Sequence, residues 1–247
     1  MTTLLGLKIH TLPKLKNPNM IAALPDMGNV AGMGMDFVVK KLKAKLFAEI
    51  YAFWPPAVSY EKGIIQYNQS SYKFHFCEKE NLVIFSGEFN PSDPRRLYEL
   101  CYEVVNMAKK LKVSTLYSIG AALRAPSPAE PKLFGVASST NLANLLKKQK
   151  IDLLEGKGQI TGFNGLVLGI AKEKKLDSIC ILMEIDNPNI IQPKATQTIL
   201  VKLLELLKIK PLDMKDLEEE EKRKKFMEKQ MNYMDGLTRK DGQPGIA

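Results

Sequence analysis

The sequence predicts an α/β fold: a mixed, largely parallel sheet flanked by helices, with a helical C-terminal tail. Three observations point there. Strand-like and helix-like apolar periods alternate over the first two-thirds of the chain, as in layered α/β domains. The run Asp177 to Glu184 is almost continuously apolar, which suits a strand covered on both faces. From Glu218, glutamates precede lysine or arginine by four residues, the favourable orientation for ion pairs along a helix.

Taken in order, Met20 to Leu24 reads as a buried strand running through Pro25-Asp-Met-Gly-Asn-Val-Ala-Gly32 into a helix that ends near Lys43. Leu46 to Phe53 is the next strand, stopped by Trp54-Pro55-Pro56 because proline cannot donate to a ladder. This order predicts a parallel β-α-β unit. Ile64 to Tyr67, Tyr72 to Cys77 and Leu82 to Phe85 are rich in aromatic and β-branched residues and predict an antiparallel meander. Asp93-Pro94 opens a helix to about Leu111, with a capping acid and proline at the first helical position. A strand at Val113 to Ile119 leads into a loop from Gly120 to Pro131, then a short strand at Leu133 to Ser138 and a helix at Thr140 to Lys148. Leu166 to Lys172 reads as helix, and so does Ala195 to Leu207, packed by Ile199, Leu203, Leu206 and Leu207. Pro211-Leu-Asp213 marks the boundary between a core domain, 1–212, and a helical extension, 213–247, with a flexible end. Asp213 or Asp216 is the expected cap.

Composition narrows the function. No apolar run approaches the ~20 residues of a membrane span, and residues 1–10 lack the pattern of a secretory signal, so the expectation is a cytoplasmic protein without membrane contact. Cys77, Cys101 and Cys180 are widely spaced and read as small core hydrophobes. The net charge is +9, and the tail from Met214 holds eight basic and eight acidic residues, so the excess lies in residues 1–213. Much of it falls in clusters at expected helix C-termini: Lys40-Lys41, Lys109-Lys110, Lys147-Lys148, and Lys172 with Lys174-Lys175. There cations meet the negative end of the helix dipole, so nucleic-acid binding is not the expectation.

Few residues suggest chemistry. Alternation sets His75 opposite Phe74 and Phe76, on the solvent side, and His10 has no acid or cysteine near it in sequence. Gly28, Gly32 and Gly34 open a helix after a strand, yet their spacing matches neither phosphate-binding fingerprint. They serve equally as a tight turn or as close helix-sheet packing. Asp26, Gly28, Asn29, Glu88 and Glu184 could line a crevice beyond the carboxyl ends of the strands, where such folds bind ligands; a nucleoside or nucleotide is the candidate there. No metal, cofactor or catalytic group is expected. On the tail, Phe226, Met227, Met231, Tyr233, Met234 and Leu237 form an apolar stripe that must be covered, by the chain's own domain or by a partner.

Together, Pro25 to Gly32, Gly87-Glu88-Phe-Asn, Ile119-Gly, Phe134-Gly-Val-Ala137, the stretch Gly156 to Gly165, Pro193-Lys-Ala195 and the Leu217-Glu-Glu-Glu-Glu-Lys-Arg helix resemble the proteasome assembly chaperone family in its archaeal form. The resemblance spans nearly the whole chain. It implies a nucleoside-phosphorylase-like fold, oligomers with itself, and chaperoning of proteasome core subunits, directly or through an adaptor, by protein contacts rather than catalysis. Met183-Glu184-Ile-Asp-Asn-Pro188 departs from the family's more usual Gly-Glu-Thr-Pro. The hydrophobic-Tyr-any residue ending by which some members dock on the proteasome is replaced by Gly245-Ile-Ala247, and docking by that route is not expected.

Overall fold

A computed structural model describes residues 6–52, 58–67, 70–124 and 131–240, with side chains to Gln230. Its elements run β1 (Leu7–Ile9), β2 (Asn19–Ala22), α1 (Val30–Lys41), β3 (Lys45–Tyr51), β4 (Ser59–Glu61), β5 (Ile64–Gln66), β6 (Ser71–Cys77), β7 (Leu82–Ser86) and α2 (Pro94–Lys110). They continue through β8 (Thr115–Leu123), β9 (Leu133–Ala137), α3 (Thr140–Lys148), β10 (Asp152–Leu153), α4 (Gly162–Glu173), β11 (Asp177–Ile185), α5 (Pro193–Leu206) and α6 (Lys215–Lys240). Nine strands form one mixed sheet in the order β1-β3-β6-β7-β2-β8-β11-β9-β10. The central strands β7, β2, β8 and β11 are parallel, as is the β9-β10 edge, while the other pairings are antiparallel.

Alternation along the strands divides the core in two. Met20, Ala22, Val83, Phe85 and Leu116 point to the face covered by α2 and α4, whereas Ile21, Ile84, Ile119 and Ile181 point to the face covered by α1, α5 and Leu146 of α3. This is why the central strands read as unbroken apolar runs. On the first face Phe85 meets Phe74 at 4.8 Å and Phe163 at 5.2 Å between ring centroids, within the range where aromatic pairs attract beyond their buried area. α2 begins as its sequence requires, with the Asp93 carboxylate accepting from Arg95 N–H at 2.8 Å and Pro94 following.

The sheet is mixed, as expected, but less parallel than expected, since four of its eight pairings are antiparallel; the other departures are local. β2 and β3 run in the same direction but do not pair, because β7 and β6 lie between them. Ile64 to Gln66 is not part of the meander; it pairs with β4 in a separate hairpin. β8 continues four residues past Ile119 because Gly120 to Leu123 stays in register with Leu182 to Ile185 of β11. α4 starts at Gly162, before the expected Leu166. Cys101 and Cys180 are buried but Cys77 is only half-buried. His75 is half-buried rather than on the solvent side, and burial holds its pKa below the usual value. His10 finds Glu49 at 2.9 Å, an acid supplied by the neighbouring strand β3. Trp54-Pro55-Pro56, residues 125–130 of the Pro-rich loop and Gly245-Ile-Ala247 lie outside the described residues.

The lysine clusters do sit in the last turns of α1, α2, α3 and α4, and a further lysine follows each helix in an unusual conformation. Lys43, Lys112, Lys150, Lys175 and Lys208, after α1 to α5, all have positive φ, between 50° and 57°. In each case the next residue's N–H reaches back five positions, as Val113 does to Ala108 O at 2.9 Å and Leu176 to Ala171 O at 2.8 Å. This is the Schellman closure, with its apolar contact made by buried Val113, Ile151, Leu176 and Ile209. Glycine is the usual occupant, since a side chain costs roughly 1–2 kcal/mol there, offset in part by the cation's interaction with the helix end. Lys112→Gly should therefore stabilise the protein by about 0.5–1 kcal/mol in urea unfolding. A loss of stability instead would show that the lysine's charge outweighs its strain.

α6 does not stand alone in solvent. Asp216 bonds Lys40 Nζ at 2.8 Å and Lys41 Nζ at 2.9 Å on α1, which pulls its pKa down to about 2. Leu217 is buried. Glu218 accepts from Gln197 Nε2 at 3.3 Å, Glu221 accepts from Lys194 N–H at 3.3 Å, and Lys224 donates to Gln192 Oε1 at 2.9 Å. Of the expected ladder, Glu221 and Lys225 pair at 3.3 Å, while Arg223 takes Glu220 one residue closer, at 2.7 Å. The glutamates and lysines on the inner side of α6 are diverted to α5 because that side is the one in contact. Among the described residues, no helix is long and apolar enough to cross a membrane.

Candidate functional site

The carboxyl ends of β7, β2, β8 and β11 share one edge of the sheet, and the β2–α1 turn lies at its middle. The turn is held from two sides. Asn164, buried in the first turn of α4, accepts from Leu24 N–H at 2.8 Å and donates to Leu24 O at 3.0 Å. Asn90 donates to Pro25 O and accepts from Phe163 N–H at 3.2 Å. Neither asparagine was singled out from the sequence as a site residue, although both fall within stretches that carry the resemblance, Gly87-Glu88-Phe-Asn and Gly156 to Gly165.

Asp26 spends both carboxylate oxygens on backbone. Oδ1 accepts from Ala31 N–H at 2.8 Å and Oδ2 from Ala121 N–H at 2.6 Å. It thus occupies the N-terminus of α1, where a phosphate would otherwise be favoured, and adds a negative charge there. Burial pushes its pKa up to about 6, against the downward pull of those N–H donors.

Gly28 takes a positive φ of 63°, and its N–H donates to Pro188 O at 2.8 Å while its carbonyl accepts from Gln192 N–H at 2.9 Å. A Cβ there would lie 2.6 Å from Gln192 Cγ. Its backbone is therefore closed against the β11–α5 loop rather than offered to a ligand. Gly34 serves helix-sheet packing, since its Cβ would stand 2.9 Å from Ile119 Cδ1.

The five candidate crevice residues do not share one wall. Asp26, Asn29 and Glu88 line a crevice of about 490 Å³ with Asp36, Lys73 and Ser86. Burial raises the Asp36 pKa, helped by the Glu88 charge and opposed by Lys73. Asp26 also borders a second crevice, of about 500 Å³, with Asn90, Asn164 and Thr161. Glu184 belongs to a third, larger space of about 1000 Å³ with Phe134, Lys147 and Lys150. There its buried carboxylate is paired with Arg124 at 2.9 Å and accepts from Lys132 N–H at 2.9 Å. Among the described residues, no group of three or more His, Cys, Asp or Glu side chains could hold a metal ion.

On the tail, Phe226 and Met227 are 62% and 61% exposed. The side chains of Met231, Tyr233, Met234 and Leu237 lie outside the described residues.

The sequence pattern of the PAC2 family matches residues 20–232. An uncharacterized protein of Methanocaldococcus jannaschii is 27% identical over 230 residues, 92% of this chain and 87% of that one. The structure of Pyrococcus furiosus PbaB, described as an archaeal proteasome activator, matches with a TM-score of 0.81 at 21% identity, covering 95% of this chain and 100% of PbaB. Pyrococcus furiosus PbaA, described as an archaeal homolog of proteasome-assembly chaperone, matches with a TM-score of 0.77 at 22% identity over 95% of both chains. At these identities the likeness to the two solved structures is one of fold.

Proposed function

The chain belongs to the PAC2 family, and from that premise we propose that it is an oligomeric assembly chaperone that acts on proteasome core subunits by protein contacts and not by catalysis. On this reading its work is cytoplasmic. The observation that carries it is the division of α6. Residues 216–224 are tied to α1 and α5 by hydrogen bonds, whereas Phe226 and Met227, one turn on, stand largely in solvent. A helix anchored on its own domain by one half holds Phe226 and Met227 of the other half out for a partner, a client subunit or an adaptor. Burying an exposed phenylalanine or methionine in such a contact is worth ~1.5–3 kcal/mol.

The crevice carboxylates support the same reading, since Asp26 and Glu184 are committed to backbone N–H groups and to Arg124. The test uses purified proteasome α and β subunits, followed on native gels as they assemble with and without the chain. The full chain should bind them and speed formation of the core particle. A chain stopped after Lys225, which keeps the docked half of α6, should stay folded and bind about tenfold or more weakly. Absence of binding by the full chain would overturn the proposal. A thermal shift with a nucleoside, ~2.7 kcal/mol at a hundred times its dissociation constant, would turn attention to the crevices instead.

A further inference from the structure

The β4–β5 hairpin forms a two-stranded sheet of its own, apart from the nine-stranded sheet. Lys62 and Gly63 both take positive φ, 51° and 80°, which is the two-residue type I′ turn that suits a right-twisted hairpin. The pairs are Ser59 with Gln66, Tyr60 with Ile65, and Glu61 with Ile64. Side chains alternate across a strand, so Tyr60 and Ile65 share one face, and the same alternation adds Val58 and Tyr67 to it. The opposite face is mostly polar, with Ser59 Oγ donating to Gln66 O at 3.1 Å and Gln66 Nε2 to Glu61 Oε2 at 3.3 Å. The hairpin is amphipathic, and its apolar face is bare: Val58 is 55% exposed, Tyr60 79%, Ile65 70% and Tyr67 69%. A two-stranded hairpin is marginal in water without something on its apolar face.

We propose that this face is a self-association surface whose occupant is the same face of a second copy of the chain. Charge argues for a copy. Each chain carries +9, so copies repel wherever lysines meet, yet this face holds no charged side chain, and Glu61 and Lys62 at the tip cancel. Shape argues for it as well. Each cross-strand pair sets one tyrosine beside one aliphatic residue, and the order reverses between pairs, Val58 with Tyr67 and Tyr60 with Ile65. A twofold axis along the strands therefore lays every tyrosine over an aliphatic side chain of the other copy, with no tyrosine on tyrosine, in an isologous contact. Two tyrosines, an isoleucine and a valine bury roughly 500 Å² per copy, about 1,000 Å² in all, the lower limit of a specific interface. The contact is thus reversible and depends on concentration.

This proposal deepens the oligomer half of the function proposed above and is independent of the client. Sedimentation of the full chain over a concentration series tests it, with Tyr60→Ser/Ile65→Ser compared with Ile64→Ser. Ile64 is also 70% exposed but lies on the polar face, so it controls for lost hydrophobicity. The double variant should weaken self-association about thirtyfold or more with the unfolding midpoint of the domain unchanged, and Ile64→Ser should leave association as it was. In a Cys77→Ser background, a short bis-maleimide should join copies carrying Tyr60→Cys to copies carrying Ile65→Cys, but not copies carrying Ser59→Cys to each other. Oligomers that ignore the double variant, or respond equally to Ile64→Ser, overturn this proposal alone. A chain that is monomeric at every concentration overturns it together with the oligomeric part of the functional reading, and leaves client binding to be judged by the assembly assay.

Discussion

Asn164→Leu is expected to destabilise the protein by about 2–5 kcal/mol, seen as a lower urea midpoint at an unchanged slope. Asn164 is 7% exposed and closes a two-bond ring with the N–H and C=O of Leu24. Leucine fills the space but neither accepts nor donates, so both main-chain groups are left buried and unpaired. Leaving such a group unsatisfied costs ~1–3 kcal/mol, more than the bond itself contributes. Because Leu24 leads from β2 into the turn carrying Asp26, the loss also frees the N-terminus of α1. Asn90→Ala should cost less, about 1 kcal/mol, since Asn90 is only half-buried and water can replace it. A loss below about 1 kcal/mol for Asn164→Leu would mean that the turn rearranges to satisfy Leu24 elsewhere.

The fold was legible in the sequence where local rules and tertiary environment agree. Asp93-Pro94 capped α2, Thr140 to Lys148 formed α3 as read, and the apolar run of β11 lies between two helical layers. It was less legible where pairing depends on distant partners. Gly120, Ala121 and Ala122 have poor strand propensity, yet β11 holds them in the sheet residue by residue. Ser59 to Glu61 carries too little apolar content to read as a strand, and without it Ile64 to Gln66 was assigned to the wrong neighbours. The candidate site was only partly legible for the same reason. Sequence brought Asp26 and Glu184 to one sheet edge, but it could not show that Glu184 turns toward Arg124 and Lys132 while Asp26 turns toward Ala31 and Ala121. Nor could it show Asn90 and Asn164 joining α4 to the turn, since an asparagine before a proline or a glycine reads first as a loop residue.

Asp26 should give the stability curve a slope opposite to that of an ordinary salt-bridged carboxylate. Its folded pKa is raised from 3.8 to about 6, chiefly by burial. Between those values the folded state holds a proton that the unfolded chain has released, so folding takes up a proton and stability falls as pH rises. Below the unfolded value both states are protonated and the effect vanishes; above about pH 6 both are ionised and the penalty is constant. The shift corresponds to about 3 kcal/mol. Relative to Asp26→Asn, the wild type should therefore lose about 3 kcal/mol of stability between roughly pH 3.5 and pH 7. The amide also disturbs one of the two N–H contacts, but that cost does not vary with pH and drops out of the slope. If the wild type instead gains on the variant as pH rises, the N–H groups of Ala31 and Ala121 outweigh burial. Asp26 is then a fixed anionic cap with no proton to give to anything in the crevices beside it. A slope of the expected sign means that burial outweighs those N–H groups, so that Asp26 folds in as a carboxylic acid at acidic pH and becomes the anionic cap of α1 only above about pH 6.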